Sequence, residues 1–468
     1  MKTSFTTYIL TLLALLSQWA INASEINLKN LFDIPLPSQT YAPCYIAQLN
    51  ATVQEAVAHG KKVAIVGAGK SQGGQTMSAH QGAYRISLHN LNKLIELNTQ
   101  EKTATVEAGM TWKQLQEYIA PHGLAVKAMQ SYNDFSIGGS VSVNVHGQDL
   151  ATGQIISTII SLQVLTPDGK TITVNQQENG PLFSAIVGGY GLVGIIVWVK
   201  LQLTDDIVLE RNTKVINTSA LADHLKSEVL RNNSEFYSAR FTVGTSNFMD
   251  KALVITYKKA ADQHQGTLQL LPTQKSSFIR WFIQATASFS RLKQLRFYVE
   301  KWLLSKPEII SRNNILNYSI AGLPDNNKSS EYILQEYFLP YDHVTAFIQD
   351  FRDVTTKYAI NVLNVTARHV LQDKLSLLSF APHSNMCALV IYIALPKTEQ
   401  ARADAILWTQ TLIERALAHN GTYYLPYHVL GTHQQFTAAY PQWNRLMAIK
   451  KQYDSHNVLS NKLYEAYA

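Results

Sequence analysis

Apolar and polar positions along the chain fall into two textures. Up to about residue 205 the apolar runs are short and the helical patterns few. Residues 51–59 (ATVQEAVAH) carry apolar residues at helical spacing, and Val63 to Val66 is a short β-branched run that predicts a buried strand. Residues 104–109 (ATVEAG) predict another strand, and Thr111 opens a helix, TWKQLQEYIAPHG, that closes near Gly123. Residues 136–147 (SIGGSVSVNVHG) alternate small and apolar residues after a glycine pair. Residues 157–166 and 171–174 predict paired strands around the turn Pro167-Asp168-Gly169-Lys170, and a further strand ends near Thr204. This is not the regular βαβ alternation of a dinucleotide-binding Rossmann domain. From about residue 206 strand-like pieces (YSARFTV, ALVITYK, CALVIYIAL) alternate with long helical ones (residues 341–359 and 402–421). That pattern predicts an α+β domain with helices on one face of an antiparallel sheet.

The N-terminus adds a location. Lys2 is the only charge before Glu25, the stretch Tyr8 to Leu16 is almost wholly apolar, and small residues follow at Ala20 and Ala23. This describes an export signal over residues 1–23, with an uncleaved anchor as the alternative; the apolar core is about half the ~20 residues needed to span a bilayer, which favours cleavage. The expected location is therefore outside the cytoplasm, periplasmic or secreted. Cys44 and Cys387, the two cysteines, are too few for a disulfide-dense scaffold or a thiolate metal cluster, and no metal site is expected. With 46% hydrophobic residues and 16% charged, the 468-residue chain is neither disordered nor a multi-pass membrane protein. A net charge of +7 is modest at this length and does not by itself indicate nucleic-acid binding.

Three segments rich in small residues carry the chemistry. The first, Gly67-Ala68-Gly69-Lys70-Ser71, follows the strand at Val63–Val66. It is not a P-loop, because the required first glycine falls on Ala64, and not a GxGxxG fingerprint, because the third glycine falls on Gln72. A strand that delivers such a loop still offers bare backbone N–H groups to an anion. On this loop alone, an ordinary turn carries about equal weight. Ile137-Gly138-Gly139-Ser140 and Gly188-Gly189-Tyr190-Gly191-Leu192-Val193-Gly194 are the other two. Three places of close backbone approach in one domain suit a large, flat, phosphate-bearing ligand.

In this order, VAIVGAGKSQGG, TVEAGMTWKQLQEYI, SIGGSVSVNVHG and GGYGLVGII resemble the flavin-binding domain of the vanillyl-alcohol-oxidase superfamily, the p-cresol-methylhydroxylase type, over residues 40–205. A weaker likeness continues to the C-terminus through YYLPYH and YDSHNVLSNKLY. The nearest members are sugar oxidoreductases, the aldonolactone and alditol oxidases and above all the decaprenylphosphoryl-ribose 2-oxidase type. The resemblance implies FAD. It implies that Gly67, Ala68, Gly69, Lys70 and Ser71 wrap the pyrophosphate. It implies that Ser136, Gly138, Gly139, Ser142, Val143, His146 and Gly147 line the pyrophosphate, ribityl chain and isoalloxazine. Gly194 and Ile195 would lie against the far part of the cofactor. Covalent members carry histidine where this chain has Lys70, so the resemblance implies non-covalent FAD. It also implies an alcohol-oxidising enzyme: a two-subdomain flavin domain (37–205), an α+β substrate domain with an antiparallel sheet (206–420), and a C-terminal segment (421–468) that returns to the flavin.

Oxidising a CH–OH group requires a hydride acceptor and a group that takes or polarises the hydroxyl proton. His146 is a candidate for the latter, with a purely cofactor-orienting role as the equal alternative. Tyr427 and His428 in the tail are candidates too. Gln335, Tyr337 and Arg368 sit on predicted strands of the substrate domain, and residues 335 and 337 face one way on a strand. Arg368 is a candidate for binding a carboxylate or phosphate, or a surface ion-pair partner. Residues 275–306 interleave cations, among them Arg280, Lys293 and Arg296, with aromatics such as Phe278, Trp281 and Trp302. They predict either a basic amphipathic membrane contact, fitting a lipid-linked sugar substrate, or a helical insertion packed on its own domain. The electron acceptor, oxygen or another, is open. A reductase using NAD(P)H and a flavin-less binding protein are the alternatives to the oxidase reading.

Overall fold

The computed structural model describes residues 39–263, 268–273, 283, 285–287, 289–322 and 329–468. The export-signal segment, Phe278, Arg280 and Trp281 lie outside the described residues.

Three sheets organise the chain. Strands β1 (Gln39–Tyr41), β2 (Val63–Val66) and β3 (Tyr84–Ser87) form a parallel sheet in the order β1-β3-β2. Strands β4 (Leu94–Asn98), β5 (Thr103–Glu107), β7 (Ile159–Leu165), β8 (Thr171–Val174) and β9 (Ile195–Asp205) form an antiparallel sheet in the order β4-β5-β9-β7-β8, and β6 (Leu124–Val126) pairs with β9. The period of two from Val197 to Thr204 runs along β9, the spine of this sheet: alternate residues are buried while their neighbours are only half-buried. The helix Trp112–Ile119 begins where Thr111 caps it, in a reciprocal capping box with Gln114. The alternating run at 136–147 does not continue as a strand. It opens as a short helix, Ile137–Ser142, because Ile137 and Gly138 donate their N–H groups to the carbonyls of Met110 (2.8 Å) and Ala108 (2.8 Å) and so leave the sheet.

The third sheet has eight strands: β10 (Val208–Asn217), β11 (Phe236–Phe241), β12 (Lys251–Lys259), β13 (Ile309–Ser311), β14 (Ser330–Pro340), β15 (Val362–Val370), β16 (Met386–Pro396) and β17 (Thr422–Tyr423). Their order is β13-β10-β12-β11-β15-β16-β14-β17, antiparallel throughout. Helices cover one face. Tyr341–Lys357 buries Val344, Phe347, Ile348, Phe351 and Val354, a stripe at three- and four-residue spacing. Glu399–Ala418 lies beside it, capped by the Thr398 hydroxyl. The other face looks toward the short helix Ile137–Ser142.

The tail ties the parts together. After β17 it crosses back, and residues 458–460 bond to the edge of β2 through Val63 N–H to Val458 O (2.8 Å) and Ser460 N–H to Val63 O (2.9 Å). The helix Trp443–Tyr453 carries buried Lys450, whose ammonium donates to the carbonyls of Leu192 (3.1 Å) and Leu459 (2.7 Å) and to Asp454 (2.5 Å). Both cysteines are free thiols, Cys44 exposed and Cys387 buried.

Candidate active site

The loop after β2 is fastened at its far end and open at its near end. Gln72 donates its N–H to Pro426 O (3.0 Å) and its side-chain amide to Tyr332 O (3.1 Å), and accepts from Leu334 N–H (2.8 Å). Gly73 packs against the Tyr427 carbonyl so closely that any Cβ there would collide with it. Gly67 is pressed equally tightly on the Ser136 hydroxyl, which accepts from the Ala68 N–H at 3.1 Å. Between these anchors the N–H groups of Gly69, Lys70 and Ser71 meet no acceptor among the described residues, and Gly69 and Lys70 are exposed. A rigid loop with three unused donors, backed by a hydroxyl, is a cradle for a doubly anionic phosphate pair. The residues present therefore fit the pyrophosphate of FAD.

Beyond Ser136 the chain threads toward the eight-stranded sheet. Ser142 bonds back to Gly138 O (2.8 Å), and Val143 O accepts from the Tyr424 phenol (2.9 Å). Asn144, with φ 46°, turns the backbone so that His146 enters the interior. His146 Nε2 lies 2.7 Å from Glu336 Oε1, and each side chain is 2% exposed. The other carboxylate oxygen of Glu336 accepts from the Tyr427 phenol at 3.2 Å. With the carboxylate ionised, Nε2 carries the proton and Nδ1 is a bare acceptor, buried without a partner among the described residues. Phe338, Phe380 and Tyr424 surround the imidazole at ring-centre distances of 5.4, 5.6 and 5.9 Å. Loss of hydration, reinforced by the nearby Glu336, holds the Tyr427 phenol protonated well above the usual tyrosine range. Burial acts the same way on Tyr424 and Tyr190, so this wall consists of phenol donors around one carboxylate.

The strand register decides which predicted residues share this wall. Glu336 pairs with Val390 and, one strand on, Thr366; Phe338 pairs with Ala388 and then Arg368. Directly paired residues and second neighbours along a strand share a face. Glu336, Phe338 and Arg368 therefore look toward the flavin domain. Gln335 and Tyr337 do share a face, as expected, but it is the opposite one. Gln335 donates to Thr409 Oγ1 (2.7 Å) on the helix Glu399–Ala418, and Tyr337 donates to Gln335 Oε1 (2.6 Å) with its ring against Phe347 (5.2 Å). The expectation that Gln335 and Tyr337 line the pocket is corrected: a one-residue offset in a period of two exchanges the faces. Glu336, between them, is the residue that sequence reasoning missed. Its signal was a carboxylate in the middle of an otherwise apolar strand, which has to find a buried partner.

Arg368 is half-buried, donates Nη2 to Ser131 Oγ (3.0 Å), and keeps a buried Nε without a partner among the described residues. Gly147 packs on the Met129 carbonyl beside His146. Gly194 and Ile195 stand at the start of β9, where Gly194 packs against Val164 and Ile186, and Ile195 pairs with Leu165. Burial pushes His428, the other tail candidate, down to about 4.

Residues 37–175 match the family model of an FAD binding domain, and residues 199–467 match that of D-arabinono-1,4-lactone oxidase. The chain is 30% identical over 189 residues to the D-arabinono-1,4-lactone oxidase of Yarrowia lipolytica, covering 40% of this chain and 35% of that protein. It is 24% identical over 201 residues to the L-gulonolactone oxidase of Bos taurus, covering 43% of this chain and 44% of that protein. It is 30% identical over 199 residues to the mitochondrial L-galactono-1,4-lactone dehydrogenase of Arabidopsis thaliana, covering 42% and 30% respectively. The chain spans less than half the length of each of these relatives. The match over more than half the chain, the flavin-domain match before it and the donor-lined cradle agree: the chain is an FAD flavoprotein and belongs to the D-arabinono-1,4-lactone oxidase family.

Proposed function

We propose that the protein oxidises a CH–OH group of a polyhydroxylated, sugar-like substrate, in the first instance an aldonolactone, with a lipid-linked sugar as the larger variant of the same class. The observation that carries this reading is the hydrogen-bonded chain Tyr427–Glu336–His146 on the wall facing the flavin domain. Bound FAD supplies the two-electron acceptor for the hydride that leaves the C–H bond. The phenol oxygen of half-buried Tyr427 takes the departing hydroxyl proton while its own proton passes to Glu336. A carboxylate offers about four lone-pair sites, so Glu336 accepts that proton without giving up its bond to His146. His146 fixes the carboxylate, and the Phe338–Phe380–Tyr424 rings keep water from competing for it. The guanidinium of Arg368, on the same sheet face, suits a ring oxygen, carbonyl or phosphate of the substrate. Lys70 stands exposed where covalent relatives carry histidine, which supports non-covalent FAD.

The test is an anaerobic absorbance titration of the purified protein with aldonolactones, alditols and prenyl-phosphate sugars. Bleaching of the flavin band by one of them, slowed in Tyr427→Phe and Glu336→Gln, is the expected result. Flavin that dithionite reduces but none of these compounds bleaches would overturn the alcohol-oxidation reading, and bleaching by NADPH alone would replace it with the reductase. Acid precipitation should release all the flavin; yellow colour in the pellet would refute the non-covalent assignment.

A further inference from the structure

The helix Ser290–Leu304 has its polarity reversed. Its two central cations point inward. Lys293 donates to Asn361 Oδ1 (2.6 Å) and Val362 O (2.8 Å), and burial, with Arg296 nearby, pushes its ammonium down to about 8. Arg296 donates to Leu363 O and to Thr286 Oγ1 (3.2 Å) and lies 3.5 Å from Glu300. These contacts fix the rotation of the helix on the start of β15, so Lys293 and Arg296 are structural, not a solvated basic rim. The same rotation buries Phe297 against Leu253 and Ile255 and turns the opposite apolar face outward. Leu295 is 55% exposed, Tyr298 50% and Trp302 63%, with Leu292 on the same face. Spacings of three and four residues place them in one stripe. Apolar patches of this kind mark a contact surface.

The charges around the stripe identify the partner. Arg291, Lys301 and Lys306 are exposed, and no acid pairs with them among the described residues. Lys306 Nζ sits 3.8 Å above the Trp302 ring, and with Lys301, Ser305 and Pro307 it lines a shallow groove at the helix end. The nearby acids are already engaged: Glu300 faces Arg296 and Arg240, and Glu308 pairs with Arg211 at 2.6 Å. A two-fold contact with a second copy would set these cations against one another, with only Glu210 and the Arg211-bound Glu308 as acids beside them among the described residues. An aromatic stripe rimmed by cations matches instead the headgroup boundary of an anionic bilayer, where tryptophan and tyrosine settle and each basic residue adds attraction. We propose that this face docks the protein on an anionic membrane surface.

The experiment is co-sedimentation of the full chain with vesicles of phosphatidylcholine containing about a third phosphatidylglycerol, and with phosphatidylcholine alone. The expected result is binding to the anionic vesicles, weakened by salt, and lowered at least about tenfold by Leu295→Glu/Trp302→Glu and by Arg291→Glu/Lys301→Glu/Lys306→Glu. Flavin absorbance and melting temperature should hold in both variants, since every substituted side chain is exposed. Absence of binding by the native protein, or binding that either variant leaves unchanged, would overturn the proposal. So would a solution dimer that Leu295→Glu/Trp302→Glu splits while vesicles capture nothing.

Discussion

Two buried ion pairs in this molecule look alike on paper and differ in completeness. Lys450 and Asp454 are 4% and 0% exposed and 2.5 Å apart, and both charged groups are fully engaged. The ammonium makes three bonds, and the carboxylate also accepts the N–H groups of Val458 (2.7 Å) and Leu459 (2.9 Å). His146 and Glu336 are equally buried, at 2.7 Å, but His146 Nδ1 has no partner among the described residues and Glu336 keeps lone pairs open beside the Tyr427 phenol. A saturated pair holds a chain segment in place. An unsaturated one retains capacity for a proton or a ligand, and the low dielectric around it makes that capacity strong. The difference assigns Lys450–Asp454 to fastening the tail and His146–Glu336 to chemistry.

That contrast is open to direct attack. Glu336→Gln should cost the most, lowering the rate of substrate-driven flavin bleaching by about 10²–10⁴-fold while the melting temperature stays within a few degrees. Unchanged bleaching would put the carboxylate outside the reaction. Lys450→Met should do the reverse, removing roughly 3–5 kcal/mol of stability in urea unfolding by orphaning Asp454 and two carbonyls, with the bleaching rate of the remaining folded protein intact.

His369 extends the comparison to pH. It is 1% exposed and donates or accepts only through Nδ1 to the Tyr341 phenol, and burial lowers its pKa to about 4. Asp149 and His146 also face it, with opposing and smaller effects. The folded state binds this proton more weakly than the unfolded chain does. Its stabilisation is therefore complete above about pH 6.5 and lost as pH falls toward 4, by roughly 3 kcal/mol. Urea midpoints between pH 7 and 4.5 should show the fall, and His369→Asn should remove about half of it, since buried His428 acts in the same direction. The smallest effect belongs to the far face of β14. Gln335→Leu/Tyr337→Phe should shift stability by about 1 kcal/mol and leave bleaching within twofold, because those two side chains bond each other and Thr409 under the helices. A large loss of rate there would return them to the site.

Much of this fold follows from local pattern. The β-branched run Val63–Val66, the strand Thr171–Val174 and the capped start at Thr111 appear in the structure where the pattern puts them, because each depends on propensity and turn chemistry within a few residues. The loop Gly67–Ser71 was legible for the same reason: small residues after a strand bare their own N–H groups whatever surrounds them. Residues 136–147 were not, since their alternation suits a strand and only the carbonyls of Ala108 and Met110, distant in sequence, draw them into a helix.

The amino-acid sequence by itself determined the element types, the glycine cradle and, through four ordered motifs, the flavin superfamily. It also put His146, Arg368 and Tyr427 forward. Tertiary structure alone decided which face of β14 meets the flavin domain. Alternation marks two faces without saying which is inward, and the register of β14 with β16 and β15 turns Glu336 toward His146 and leaves Gln335 and Tyr337 under the helices. It decided the helix Ser290–Leu304 in the same manner: the sequence shows cations and aromatics interleaved, and only the carbonyls of Val362 and Leu363 say that the central cations turn in with Phe297 while Tyr298 and Trp302 turn out.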